Sequence, residues 1–236
     1  MRLENTVTLV TGAGRGIGRA IATTLAGEGS SVVLVARTES ELETVRREIE
    51  GRGGKAFVLP SDITKPDEVK RVFEEVASKF QRLDILVNNA GIGHFAPVKD
   101  LSLGDFDAMW NLNMRGLFLC TQQAIRMMES QKSGAIVNLS SLAGKNAFVN
   151  GAGYDATKWA LMGFAKCLML EVREQNIRVI TVCPGSVDTS FSHPKEPAKT
   201  DKLIHPQDVA DIVLSALITP ARSMVSEIDI RPTNPK

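Results

Sequence analysis

Residues 6–18 read Thr6-Val7-Thr8-Leu9-Val10-Thr11-Gly12-Ala13-Gly14-Arg15-Gly16-Ile17-Gly18. Thr6 to Val10 is a short apolar run of strand type, and the glycines behind it form a turn. From Gly16 the pattern becomes helical and is predicted to hold to Gly29. Strand, glycine turn and helix, in that order, open a βα unit. Glycines let the backbone bend tightly and approach a pyrophosphate, and free N–H groups at the helix start bind one. A glycine turn at this place is sometimes only a turn. The phosphate loop of the NTPases is excluded, because Arg19-Ala20 stands where Lys followed by Ser or Thr is required.

Outward from this unit, strand and helix patterns alternate. Ser31 to Ala36 (Ser-Val-Val-Leu-Val-Ala) is apolar without alternation, which indicates burial on both faces. The helix Glu39 to Glu50 stops at Gly51. Ala56 to Leu59 is a third strand, followed by a helix from Pro66 to Phe80 with proline in its first turn. Further strands are predicted at Asp84–Val87, Ala135–Leu139, Ile177–Cys183 and Glu227–Ile230. Helices fill Asp105–Ser130 for the most part, Tyr154–Gln175 and Pro206–Ile218. Such alternation gives an α/β fold, Rossmann-like, with a doubly wound parallel sheet of about seven strands and helices on both faces. No repeat or linker divides the chain, so residues 1–236 are expected to form a single domain.

Composition narrows the function. A net charge of +1 gives no field suited to nucleic acid or to an acidic membrane surface. No apolar run reaches the ~18 residues of a membrane span, and Met1-Arg2-Leu3-Glu4-Asn5 does not look like a signal segment. Cys120, Cys167 and Cys183 are too far apart for a disulfide framework or a zinc site, and His94, His193 and His205 are too scattered for a metal motif. No metal is expected, and a reducing cytoplasm is the expected compartment. Two helices carry more apolar surface than one buried face needs, at Met114–Cys120 with Ala124–Met128 and at Trp159–Leu170. Their surplus points to a subunit interface, with deep burial as the alternative.

Chemistry concentrates between Ser140 and Lys158. Tyr154 is the only tyrosine among 236 residues, and Lys158 follows it by four positions. On a helix that spacing stacks both side chains on one face. A nearby ammonium favours the phenolate and moves a phenol toward acid–base work. Ser141 ends an apolar run thirteen residues before Tyr154. A hydroxyl there could hold a carbonyl oxygen beside the phenol. Taken alone, the pair also fits a surface tyrosine beside a solvated lysine.

The spacing of Gly12, Gly16 and Gly18 resembles the short-chain dehydrogenase/reductase family, in its short single-domain branch. So do Asn88-Asn89-Ala90-Gly91, Asn113 in Asn-Met-Arg-Gly, Ser141, Tyr154 with Lys158, and Pro184-Gly185, all in family order across residues 11–189. The resemblance implies an oxidoreductase that moves a hydride between a nicotinamide dinucleotide and a carbonyl–alcohol pair. Tyr154 is then the general acid or base. Lys158 lowers its pKa and bonds the nicotinamide ribose, Ser141 orients the substrate carbonyl, and Asn113 kinks its helix and anchors a water in the proton relay. Cofactor contacts are implied for the glycine turn (Gly12, Gly14, Arg15, Gly16, Ile17, Gly18), for Asn89, Ala90 and Gly91, and for Tyr154 and Lys158. Asp62 and Ile63 are implied at the adenine, and Pro184, Gly185, Val187 and Thr189 toward the carboxamide.

Enzymes that use NAD usually carry an acid after the second strand. Here the strand ends Val35-Ala36-Arg37, with no acid before Glu39. The family places basic residues at Arg15 and Arg37 to clamp the 2′-phosphate of NADP, so the expected cofactor is NADP(H). Substrates implied are a 3-oxoacyl thioester or another small carbonyl compound such as a ketone, a sugar or a hydroxy acid. Lys195, Lys199 and Lys202, with Arg126, Lys132 and Arg173, fit either an acidic carrier or a solvated face. A homodimer or homotetramer is implied, although the chain lacks the Thr-Gly run and Asp-Gly-Gly turn with which relatives often build their tetramer contact. The polar, proline-broken segment Asp188 to Ile204 falls where the family keeps a mobile substrate lid. Two other classes compete. One is a dinucleotide-binding protein without turnover, against which Asn113, Ser141, Tyr154 and Lys158 argue together. The other is a serine hydrolase, for which no Gly-x-Ser-x-Gly elbow exists.

Overall fold

Strands rich in Val, Ile and Leu on both faces need a layer of helices on each side, and the chain supplies both layers. The computed structural model describes residues 3–191, 202–220 and 222–233. Seven strands lie among them: β1 (Val7–Thr11), β2 (Ser31–Ala36), β3 (Lys55–Pro60), β4 (Ile85–Asn88), β5 (Gly134–Leu139), β6 (Ile177–Pro184) and β7 (Glu227–Ile230). They form one sheet in the order β3-β2-β1-β4-β5-β6-β7, and every neighbouring pair is parallel.

The strand pleat sends successive side chains into different cores. Val10, Val32 and Leu34 pack with Leu25 of α1 (Gly16–Gly27), Leu42 of α2 (Glu39–Gly51) and Val213 of α7 (Pro206–Leu217). Leu9, Val33 and Val35 pack on the other side with Val72 of α3 (Pro66–Phe80), Met128 of α5 (Leu117–Gln131) and Leu168 of α6 (Ala152–Val172). Among the described residues, no helix is long and apolar enough to cross a membrane.

Boundaries depart from the sequence reading where local chemistry intervenes. α1 ends at Gly27, because Gly29 turns to φ +90° and Ser30 donates back to the Leu25 carbonyl at 3.1 Å. The long helix expected over Asp105–Ser130 is broken into α4 (Leu103–Trp110), a π-helical turn at Asn111–Gly116, and α5. α6 begins two residues before Tyr154 and ends at Val172, where a 3-10 turn over Arg173–Gln175 completes the predicted helix.

Chain direction locates the site. From β1 the sheet grows one way through β2 and β3, and from β4 the other way through β5, β6 and β7. The crevice where the order reverses lies at the carboxyl ends of β1 and β4, the place where open α/β sheets bind ligands.

Candidate active site

The glycine turn leaves the carboxyl end of β1. Gly12 sits at φ +65°. A Cβ on Gly18 would collide with the Gly12 carbonyl oxygen and come within 2.5 Å of the Asn89 amide nitrogen, so only glycine fits there. Asn89, just after β4, donates from its Nδ2 to the carbonyls of Thr11 (2.9 Å) and Gly12 (3.2 Å). Thr11 Oγ1 accepts from the backbone N–H groups of Asn89 and Ala90, both at 3.1 Å. Two strands are thus tied together exactly where the crevice opens, and no side chain caps the amino end of α1. Its first N–H groups, the bare glycine surface and the helix dipole fit a dinucleotide pyrophosphate.

Around the outer part of the turn the residues are charged. Arg37, just past β2, is exposed. Arg15 pairs with Glu41 at 3.8 Å, the arginine exposed and the acid half-buried. Glu41 packs so closely on Gly14 that a Cβ there would lie 2.9 Å from its own Cβ and from its carboxylate. The sequence reading missed this acid because it stops at Glu39, two residues short of the one that folds back. Asp62 uses its carboxylate locally, accepting from Thr64 N at 3.0 Å and Thr64 Oγ1 at 2.8 Å. Burial would raise the Asp62 pKa, but the Thr64 hydrogen bonds, Lys65 and Arg37 together leave it lowered. Ile63 turns its side chain into the core against Gly116.

The π-helical turn brings Asn113 to the centre. Its Oδ1 accepts from Ile92 N, and its Nδ2 donates to Ile92 O, each at 2.9 Å. Nδ2 also donates to Thr157 Oγ1 at 3.1 Å, and Thr157 in turn donates to the Tyr154 carbonyl at 2.8 Å. One amide therefore fixes the loop after β4 to the turn of α6 that carries Tyr154. Gly91 lies against the same amide. Thr157, which no motif reading singles out, is the link.

Ser141 follows β5, where its hydroxyl accepts from Ala143 N at 3.1 Å and lies 3.5 Å from the Pro184 carbonyl. Lys158 is buried and donates from Nζ to the Leu139 carbonyl at 2.9 Å, with the ammonium 5.6 Å from the centre of the Tyr154 ring. Burial pushes the Tyr154 phenol up to about 12, the Ser141 hydroxyl pulls it back, and the Asp155 charge adds to the rise. That direction opposes the lowering expected from Lys158. Burial likewise pushes the Lys158 ammonium down to about 8. At neutral pH the pair is a neutral phenol beside a cation.

The chain past β6 closes the crevice. Gly185 N–H donates to the Ile230 carbonyl at 2.8 Å, Val187 bridges Ile204, and the Thr189 methyl approaches Gly16. Of the expected lid, residues 192–201 lie outside the described residues, and Lys195 and Lys199 with them. Asn113, Ser141, Tyr154 and Lys158 converge at the carboxyl ends of β4 and β5, beside the glycine turn. Arg37 and Asp62 lie past β2 and β3, and Ile63 packs on Gly116 of the turn that carries Asn113.

The family model described as short chain dehydrogenase matches residues 6–200. Sepiapterin reductase of Chlorobaculum tepidum is 34% identical over 235 residues, covering 97% of this chain and 96% of that protein. An uncharacterized oxidoreductase of Staphylococcus aureus is 35% identical over 230 residues, 98% of each chain. A metagenomic short-chain oxidoreductase, crystallised in complex with NADP, superimposes over 99% of both chains with a TM-score of 0.88 and 36% identity. An alcohol dehydrogenase of the archaeon Thermococcus sibiricus, complexed with 5-hydroxy-NADP, superimposes over 97% of both chains with a TM-score of 0.91 and 29% identity. Matched along nearly its whole length in sequence and in fold, this chain belongs to the short-chain dehydrogenase/reductase family of oxidoreductases.

Proposed function

We propose that the chain is an NADPH-dependent reductase of carbonyl compounds, with Tyr154 as the proton donor. The observation that carries this reading is the buried, neutral Tyr154 phenol between the Ser141 hydroxyl and the Lys158 ammonium. When bound in the crevice, the reduced nicotinamide supplies the hydride for the carbonyl carbon. The chain's own residues do the rest. Ser141 presents a hydroxyl that orients the carbonyl oxygen. Tyr154 Oη gives that oxygen its proton as negative charge develops there. A phenol near 12 stays protonated through the neutral range and is still far more acidic than the alcohol it makes, so it suits the reducing direction. Lys158, a cation below about 8, offsets the charge left on the phenolate. Asn113 and Thr157 act as positioning residues, since they hold the Tyr154 turn against the loop after β4.

NADP(H) is favoured over NAD(H) by the basic pair Arg15 and Arg37 at the mouth of the turn. Glu41 opposes them in part, because it already neutralises Arg15. The chain is also proposed to work as a homo-oligomer in the cytoplasm. Phe118 on α5 and Trp159 and Leu170 on α6 are 45%, 53% and 56% exposed, and Phe118 and Phe164 meet edge to face across the two helices. Absorbance at the reduced-nicotinamide band, followed with NADPH and a panel of ketones and thioesters, tests the function. Loss of signal supports it, while cofactor binding without any turnover favours a non-catalytic dinucleotide-binding protein.

A further inference from the structure

Three loops gather phenylalanines beside Tyr154, two on its ring and the third on one of those two. Phe95 comes from the loop after β4, Phe148 from the loop before α6, and Phe191 from the segment after β6. Phe95 meets the Tyr154 ring edge-on at 5.5 Å, Phe191 lies 5.8 Å from it, and Phe148 lies 5.7 Å from Phe95. These rings are 46%, 40% and 46% exposed in the order Phe95, Phe191, Phe148. Exposed phenylalanine costs solvation unless something covers it, and three linked ring to ring beside one buried phenol are not scattered surface residues.

The arrangement is braced. Phe95 and Phe191 both rest on Gly93, where a Cβ would come within 2.8 Å and 3.1 Å of their ring tips. Phe148 lies flat on Gly151, where a Cβ would meet its ring carbons at 2.7–2.9 Å. One backbone bond ties the two loops together, Ala96 N–H donating to the Asn150 carbonyl at 3.1 Å, and Phe148 N–H fixes its loop to α6 by donating to the Asp155 carboxylate at 3.3 Å. Polar side chains flanking the two loops are engaged elsewhere. His94 faces Asp105 at 3.3 Å, and Lys145 is held by Glu227 and Asp229.

Resting on the carbonyl-reductase reading, we propose that the substrate carries its carbonyl directly on a planar aromatic ring, seated among Phe95, Phe148 and Phe191. Aromatic rings prefer edge-to-face or offset contacts with one another, and three exposed rings at different tilts offer such contacts to a fourth. A ring placed there keeps its attached carbonyl within reach of Tyr154 and Ser141. The step balances as a two-electron reduction. The C=O π bond breaks, carbon takes the hydride from NADPH, which leaves as NADP, and oxygen takes the Tyr154 proton, which solvent restores. A flexible acyl thioester could cover the rings but would make no edge-to-face or offset contact with them.

The test compares three carbonyl compounds with NADPH: acetophenone, cyclohexyl methyl ketone and acetoacetyl-CoA. The first two differ in ring aromaticity alone, and conjugation makes acetophenone the less electrophilic, so intrinsic reactivity runs against the proposal. Ring contacts are expected to raise kcat/KM for acetophenone roughly tenfold over the cyclohexyl ketone. Phe148→Leu is expected to lower that ratio several-fold. Calorimetric titration of 1-phenylethanol against 1-cyclohexylethanol should show the same order in binding. Equal or better use of the cyclohexyl ketone, or preference for acetoacetyl-CoA, overturns this inference and leaves the reductase reading standing. No NADPH oxidation with any of the three overturns both.

Discussion

Replacing Lys158 with methionine should disable the enzyme and stabilise the protein at pH 7. Lys158 is buried with its pKa pushed from 10.5 down to about 8, so its proton is held less tightly in the folded chain than in the unfolded one. For a base shifted in this direction, the penalty is full below the folded pKa and fades as pH rises through 8 toward 10.5. A shift of that size at ~1.36 kcal/mol per unit amounts to about 3 kcal/mol at neutral pH. The hydrogen bond from Nζ to the Leu139 carbonyl, 2.9 Å long, works the other way. A charged donor of that kind contributes about 1.5–2 kcal/mol. Lys158→Met fills the same space without charge, so a net gain of about 1–2 kcal/mol remains at pH 7, or roughly 3–6 °C in Tm for a chain of this size. By pH 10 most of the penalty on the lysine has gone, while the methionine still lacks the hydrogen bond. Neutral in the folded chain at that pH, the lysine keeps only an uncharged hydrogen bond of about 1 kcal/mol, so the gap between the two proteins should close to within about 1 kcal/mol. Guanidinium titrations of both proteins at pH 7 and pH 10, without cofactor, measure the narrowing. A variant less stable at pH 7, or a gap unchanged between the two pH values, would refute the claim that Lys158 is held at an electrostatic cost.

Tyr154→Phe keeps the packing against Phe95 and removes the proton donor; turnover should fall by roughly 10²–10⁴-fold with cofactor affinity unchanged, as read by steady-state rates beside cofactor titration. Arg37→Asp should lower kcat/KM for NADPH about ten- to a hundredfold more than for NADH, and equal losses with both would remove the case for a phosphate clamp. Glu41→Gln frees Arg15 from its ion pair and should shift preference further toward NADPH by a few-fold, since the pair is long and only partly shielded from solvent. Trp159→Glu, on the exposed face of α6, should lower the mass seen by light scattering at micromolar concentration, and an unchanged mass would place any interface elsewhere.

How far the sequence could be read follows from what kind of constraint each part obeys. The sheet is legible because parallel strands buried on both faces, such as Ser-Val-Val-Leu-Val-Ala at β2, leave a compositional mark. Gly12 and Gly18 are legible because steric demand there admits one residue type. The break at Asn111–Gly116 was not read from helical periodicity, which runs through it; it depends on a loop twenty residues earlier that offers Ile92 to the Asn113 amide. Glu41 and Thr157 act through partners distant in sequence or through a carbonyl one turn back, and neither leaves a pattern at its own position. The Tyr154 pKa is the sharpest case. Spacing supplies the lysine and suggests a lowered value, but the sign is decided by burial, which depends on every ring and helix packed around the phenol. The same holds for Phe95, Phe148 and Phe191. In sequence they are three unrelated residues, 43 or more positions apart. Only the folding of three loops over one end of the sheet joins them, Phe95 and Phe191 on the phenol and Phe148 on Phe95. The catalytic groups are thus written into local motifs, whereas the surroundings that set their protonation and choose their substrate are written into the fold.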